Sequence, residues 1–289
     1  MARELCWYDV FTTTRFRGNP LGVVPDAQGL DAATMAAVAA ELGLSETTFV
    51  LPPERAGVDH GVRIFTPTRE LAFAGHPTIG TAVALAQRAG VRETTMVLGL
   101  GAGPTTVAVR PGPGGALEAA FAAPARPQVR AATPSPGEVA TAIGLAPTDL
   151  DPELPIHVAD AGGTAFVVAA VADLGVLARC RPAGSLPGVV GVYAVARDGD
   201  GYRVRMFAPA AGVAEDPATG SAACAFAGSL ATYVPAFAPD GRYDVAVTQG
   251  VEMGRRSDLR LSFDVGGGTV TEVRLAGAAV AVLTAMIDV

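Results

Sequence analysis

The chain has no lysine: all 21 of its basic residues are arginine. That removes a Schiff base to pyridoxal phosphate or to a carbonyl substrate, the lysine of a phosphate-binding P-loop, and a lysine general base. Any catalysis rests on carboxylates, His, Ser/Thr, Cys, Tyr or backbone amides. Asparagine is nearly absent too, with Asn19 alone, a composition that accompanies Ala-, Gly- and Arg-rich, GC-rich coding. Three cysteines, Cys6, Cys180 and Cys224, are an odd number without metal-ligand spacing, which argues against a disulfide framework. The three histidines, His60, His76 and His157, form no HExxH or paired pattern, so no metal, zinc included, is expected.

Positive charge is also scarce. The net charge is -7, and no basic cluster exceeds a pair such as Arg255-Arg256, so a surface that tracks nucleic-acid phosphates is not expected. The start, Met-Ala-Arg-Glu-Leu-Cys-Trp, lacks the apolar core of a signal peptide, and the apolar stretch near 275–286 is too short and too β-like to span a bilayer. The expectation is a cytoplasmic protein with no membrane and no nucleic-acid partner.

What is present is a duplication. Arg63-Ile-Phe-Thr-Pro67 followed by Gly75-His-Pro-Thr-Ile-Gly-Thr-Ala82 returns as Arg205-Met-Phe-Ala-Pro209 followed by Glu215-Asp-Pro-Ala-Thr-Gly-Ser-Ala222. The arginines lie 142 positions apart, and His76 lies 140 from Asp216. Gly18-Asn-Pro-Leu-Gly-Val-Val likewise matches Gly162-Gly-Thr-Ala-Phe-Val-Val at 144. Such a period is domain-sized, far from the roughly 20–50 residues of solenoids. At 289 residues and 50% hydrophobic, the chain can fill two cores. The halves differ in the ionisable residue at one matched position, His76 against Asp216, which points to a site to which each lobe brings one chemical group.

Local patterns predict strands over 4–11 and 20–25 joined by a Gly18-Asn19-Pro20 turn. An amphipathic helix follows Asp31 as N-cap and stops at Gly43, and a strand covers 45–51. Pro77 to about Arg88 and Pro217 to about Tyr233 read as small-residue helices, apolar nearly all round and therefore buried inside a wrapped sheet. The rest is short strands, including 269–275 and 278–284, which gives an α+β class. The segment 124–138, with four prolines, reads as a linker.

His76 and Asp216 fall at or just before helix starts, where unpaired backbone N–H groups and the helix dipole favour an anion such as a substrate carboxylate. Glu46 sits between a helix stop and an apolar strand, a setting in which desolvation raises a carboxyl pKa and makes the group an acid and base near neutrality.

Together these segments resemble the PhzF-like family, related in fold to diaminopimelate epimerase. The resemblance is carried by Asp9-Val-Phe-Thr through Phe16-Arg-Gly-Asn-Pro20, Leu44-Ser-Glu-Thr-Thr-Phe-Val50, Arg63–Pro67, Ala74–Ala82, Glu215–Ala222 and Gln249-Gly-Val-Glu-Met-Gly-Arg255. It implies two pseudo-symmetric lobes, each a β-barrel-like sheet around a central helix, with a cleft between them. The N-terminal lobe would be 1–123 joined by a C-terminal strand 276–289, and the C-terminal lobe 139–275. It further implies a homodimer and a cofactor-independent isomerase that shifts a proton within a small amino-acid-like or cyclohexadiene carboxylate. That reaction would serve phenazine biosynthesis or another antibiotic pathway, for example of alkylproline type; a non-catalytic binding protein with the same cleft is the alternative. Glu46, His76 and Asp216 are then the expected catalytic residues, and Asn19, Ser45, Gly75, Gly220, Ser221 and Gln249 the expected substrate-binding ones. Related epimerases use one cysteine per lobe at these helix starts; here no cysteine stands there, so proton transfer through Glu46 is the expected route.

Overall fold

The computed structural model describes residues 2–132 and 134–289. By contacts the chain divides into two units, Met1–Ala122 with Ala276–Val289, and Ala123–Leu275.

The first unit contains β1 (Ala2–Val10), β2 (Asn19–Val24), α1 (Ala32–Leu42), β3 (Glu46–Leu51), β4 (His60–Phe65), the short β5 (Glu70–Leu71), α2 (Gly75–Arg88), β6 (Thr94–Leu100), β7 (Gly103–Pro111) and β8 (Leu117–Ala122). The Asp31 side chain accepts from Thr34 N at 2.8 Å and so caps α1, while Gly43 ends it in the left-handed conformation at φ 61°. β1 pairs antiparallel with β2, β2 parallel with β3, β3 antiparallel with β4, β4 parallel with β6, and β6, β7 and β8 form a meander.

The second unit contains β9 (Gln128–Ala131), α3 (Pro136–Ala142), β10 (His157–Asp160), β11 (Ala165–Ala170), α4 (Leu174–Arg179), β12 (Gly191–Asp198), β13 (Gly201–Ala208), β14 (Val213–Asp216), α5 (Gly220–Tyr233), β15 (Gly241–Gln249) and β16 (Ser257–Gly266), and the chain ends in β17 (Thr269–Asp288). Its pairings repeat those of the first unit: β10 antiparallel with β11, β11 parallel with β12, β12 antiparallel with β13, β13 parallel with β15, and β15 antiparallel with β16. The late part of β17 pairs with β1, and β8 also pairs with β17, which closes eight strands of the first unit into a barrel. In the second unit β9 takes the matching place against β10. The α+β class with a wrapped sheet per lobe is therefore the observed fold.

Burial explains why each wrapped sheet holds a helix. In α2 every residue from Gly75 to Ala86 is buried, and α5 is buried from Ala222 to Leu230. Small residues, Gly, Ala and Thr in α2 and Gly, Ala and Ser in α5, leave room for an enclosing sheet at many of these positions. At Gly80 an added Cβ would stand 2.5 Å from Leu21 Cδ2 and 2.7 Å from Val10 Cγ2. Strand alternation supplies the lining: in β16, Ser257, Leu259, Leu261, Phe263 and Val265 are buried while their neighbours are partly or fully exposed. The amphipathic helices form second cores, α1 through Met35 and Ala39 against Phe49 and Phe65, and α3 and α4 through Val139, Ile143, Val176 and Leu177 against Val167, Val192 and Phe207.

Three expectations change. The proline-bearing stretch 124–138 contains β9, which pairs with β10, and α3 starts within it under a Ser135–Glu138 capping box, so it is a built part of the second unit. The strands expected at 269–275 and 278–284 are one continuous strand, β17. The helix expected from Pro217 begins at Gly220, and Asp216 ends β14, opposite Met206. A residue before proline is driven to extended backbone, which keeps Asp216 in the strand.

Candidate active site

In the first unit Glu46 is the first residue of β3, in register with Leu21 of the parallel strand β2. His76 is the second residue of α2, a helix without a side-chain cap at its N-terminus. His76 Nδ1 and Glu46 Oε2 lie 3.4 Å apart, with side chains 5% and 17% exposed. Below this pair, Thr48 Oγ1 and Thr81 Oγ1 share a hydrogen bond of 2.8 Å, which ties β3 to α2 one turn into the barrel. Both partners of the upper contact are thus held on rigid elements rather than loops.

Burial holds His76 well below the ordinary histidine range, at about 3, and a hydrogen bond to the Pro20 carbonyl only partly opposes it. The imidazole is therefore neutral at neutral pH, and its contact with Glu46 joins a neutral ring to a carboxyl group. Nε2 is buried without a hydrogen-bond partner in the protein, so the interactions of the ring fall on Nδ1. A tautomer with the proton on Nδ1 donates toward Glu46 and the Pro20 carbonyl and leaves Nε2 as a free acceptor. Around the pair, Asn19 is fully buried at the start of β2, Gly75 is buried at the first helical position, and Ser45 is half-buried immediately before Glu46.

In the second unit Asp216 is half-buried, and Thr219 Oγ1 donates to its Oδ2 at 2.6 Å. Gln249 knits the two together: Nε2 donates to the Asp216 carbonyl at 2.7 Å and to Thr219 Oγ1 at 3.0 Å, and Oε1 accepts from Thr219 N at 3.1 Å. With both ends of its amide bonded inside the protein and the side chain fully buried, Gln249 braces Asp216. The next residue, Gly250, has φ 73°, and a Cβ there would meet the Pro217 carbonyl at 2.7 Å, so the strand end and the Asp216 loop pack backbone to backbone. Gly220 is buried and Ser221 half-buried in the first turn of α5.

Thr219 is the residue sequence reasoning passed over. Its signal is present in Asp216-Pro-Ala-Thr219, where a hydroxyl three residues after an aspartate returns to its carboxylate. Among the described residues, no group of three or more His, Cys, Asp or Glu side chains has the arrangement of a metal site. Cys180 and Cys224 are buried, and desolvation raises their thiols to about 11 and about 12, which makes them poor nucleophiles.

The frame these residues set is a sheet wrapped on a small-residue helix, with a Glu–His contact at the helix start. The chain belongs to the phenazine biosynthesis-like (PhzC-PhzF) family, whose model matches residues 8–285. It is 40% identical to an uncharacterised isomerase of Mesorhizobium japonicum over 97% of both chains. It is 34% identical to the trans-2,3-dihydro-3-hydroxyanthranilate isomerase of Pseudomonas aeruginosa over 93% of both. Among solved structures, the phenazine biosynthesis protein of the PhzF family from Bacillus anthracis matches with a TM-score of 0.90 and 28% identity over the whole of both chains. The protein is an isomerase of this family. Among the described residues no helix is long and apolar enough to cross a membrane.

Proposed function

We propose that the protein moves a proton between two carbons of a small carboxylate-bearing ring, without a cofactor, and that Glu46 is the acid and base. The observation that carries this reading is the buried contact of Glu46 with His76 at 3.4 Å. A carboxylate removes a proton from one carbon, the electron pair left behind relocates a neighbouring double bond, and the carboxylic acid returns the proton at the far end. His76 is too weak a base to compete, because burial disfavours its protonated form. Its Nδ1–H steadies the carboxylate. The uncapped N-terminus of α2 offers backbone N–H groups, Gly75 among them, to a substrate carboxylate. Asp216, held by Thr219 and Gln249, is the second unit's counterpart of His76. The identity to a trans-2,3-dihydro-3-hydroxyanthranilate isomerase supports a cyclohexadiene amino acid as the substrate class.

The test is Glu46→Gln, assayed with trans-2,3-dihydro-3-hydroxyanthranilate in deuterium oxide. Turnover should fall by about two to four orders of magnitude with the fold intact, the usual share of general acid–base catalysis. The unaltered enzyme should place less than one full deuterium on the product, because a shielded carboxyl returns part of the proton it took. Near-normal turnover by a folded Gln variant removes Glu46 from the mechanism.

A further inference from the structure

The loop between β1 and β2 leads straight into the Glu46–His76 pair: Val10 and Asn19 face each other at its base, Pro20 bonds His76, and Leu21 is in register with Glu46. Phe16 in this loop is 71% exposed, the most exposed of the large hydrophobic residues among those described. It also takes φ 68°, in the left-handed region that non-glycine residues seldom enter, and Phe11 in the same loop takes φ 65°. Phe16 is fixed in that shape by Asp9, a carboxylate 1% exposed whose Oδ2 accepts from Phe16 N at 2.6 Å. Gly18 packs so closely that a Cβ would stand 2.3 Å from the Val10 carbonyl. Left-handed backbone on bulky residues persists where the surroundings over-determine it, and such positions gather at functional sites.

The duplication supplies an internal control. In the second unit Asp160, at the end of β10, makes the same bond, accepting from Gly163 N at 2.6 Å. There the connection is residues 161–164, its left-handed positions are glycines, and it carries no aromatic residue. In the first unit the connection is residues 11–18, and the left-handed positions include two phenylalanines. Turn-making alone needs the short version. The longer loop presents an exposed ring within four residues of Pro20, at most about 14 Å along the chain.

We propose that Phe16 is a specificity-determining residue of the Glu46–His76 site, stacking on the face of a ring-bearing carboxylate substrate, with Asp9 as the positioning residue that aims it. This rests on the reading of that site given above. An aromatic face selects planar, unsaturated rings over acyclic amino acids of the same charge.

The experiment measures binding by calorimetry, using 3-hydroxyanthranilate as the ring carboxylate and glutamate as the acyclic one, alongside turnover of trans-2,3-dihydro-3-hydroxyanthranilate. Phe16→Ala should weaken 3-hydroxyanthranilate about tenfold and raise KM in step, leave kcat within about twofold, and leave glutamate binding and thermal stability unchanged; Phe16→Tyr should keep the affinity for the ring. Asp9→Ala should show the same loss on the ring, Asp9→Asn, which keeps an acceptor oxygen, should recover most of it, and Asp9→Ala added to Phe16→Ala should weaken binding no further. Equal affinity of the parent and Phe16→Ala for 3-hydroxyanthranilate overturns the role of Phe16 while the Glu46–His76 reading stands. Failure of the parent to bind 3-hydroxyanthranilate at all overturns both.

Discussion

Burial of His76 links the site to stability. Its ring titrates near 6.5 in an unfolded chain and at about 3 in the folded protein, so between these values the unfolded state binds the extra proton. Stability from this residue is complete above pH 6.5 and is lost as pH falls toward 3. At 1.36 kcal/mol per unit the whole window amounts to about 4–5 kcal/mol. His157, also lowered by burial, acts in the same direction, so the residue must be isolated by comparison. His76→Asn should therefore show a shallower decline in unfolding free energy from pH 6.5 to 4 than the parent, measured by denaturant titration at each pH. Parallel curves for the two proteins would mean that His76 titrates normally in the folded state.

Among the elements, α1 and α2 respond to different substitutions because one lies on a sheet and the other lies inside one. Asp31→Ala removes the oxygen that accepts from Thr34 N on an exposed helix end and should cost about 1 kcal/mol, with turnover unchanged. Gly80→Ala raises helix propensity, yet its Cβ meets Leu21 and Val10 inside the barrel, and overpacking of this kind costs about 1–3 kcal/mol. Thermal unfolding of both variants checks the ordering. A stabilised Gly80→Ala protein would show that the barrel relaxes around α2.

The same contrast explains what could be read from the sequence. Caps and periodicity are local, so α1 with Asp31 and Gly43, and the buried faces of α2 and α5, were legible, whereas the contact of Glu46 with His76 joins residues 30 apart that no local pattern links. The start of α5 was not legible, because Asp216 is retained in β14 and braced by Gln249, 33 residues further on. β9 was hidden among prolines, since its strand character comes from pairing with β10. Gly277 falls in the gap between the strands expected at 269–275 and 278–284. In the fold it lies within β17, where a Cβ would stand 2.2 Å from the Phe11 ring, so glycine there admits a neighbour instead of ending the strand.

At the scale of the whole molecule, the decisive feature is that the last strand belongs to both units. Its first residues complete the second unit, and from Ala276 onward it belongs to the first. Asp288 to Ala279 face Ala2 to Val10 along the full length of β1, and Phe11 N and Thr12 N both donate to the Ala278 carbonyl. A chain that stops at Leu275 keeps every residue of the second unit and removes one of the two partners of β1, which leaves that strand with an unpaired edge and opens the barrel around α2. Phe11, fully buried in the intact protein, also loses Gly277 beneath its ring. The expected outcome is a protein in which amides of β10–β16 remain protected from hydrogen exchange while those of β1–β8 exchange as an unfolded chain does, with no isomerase activity. Adding the peptide 276–289 in trans should restore protection to β1 first, since nine register pairs join them. Protection of β1–β8 in the shortened chain at the level of the full-length protein would show that the first barrel holds itself closed without β17.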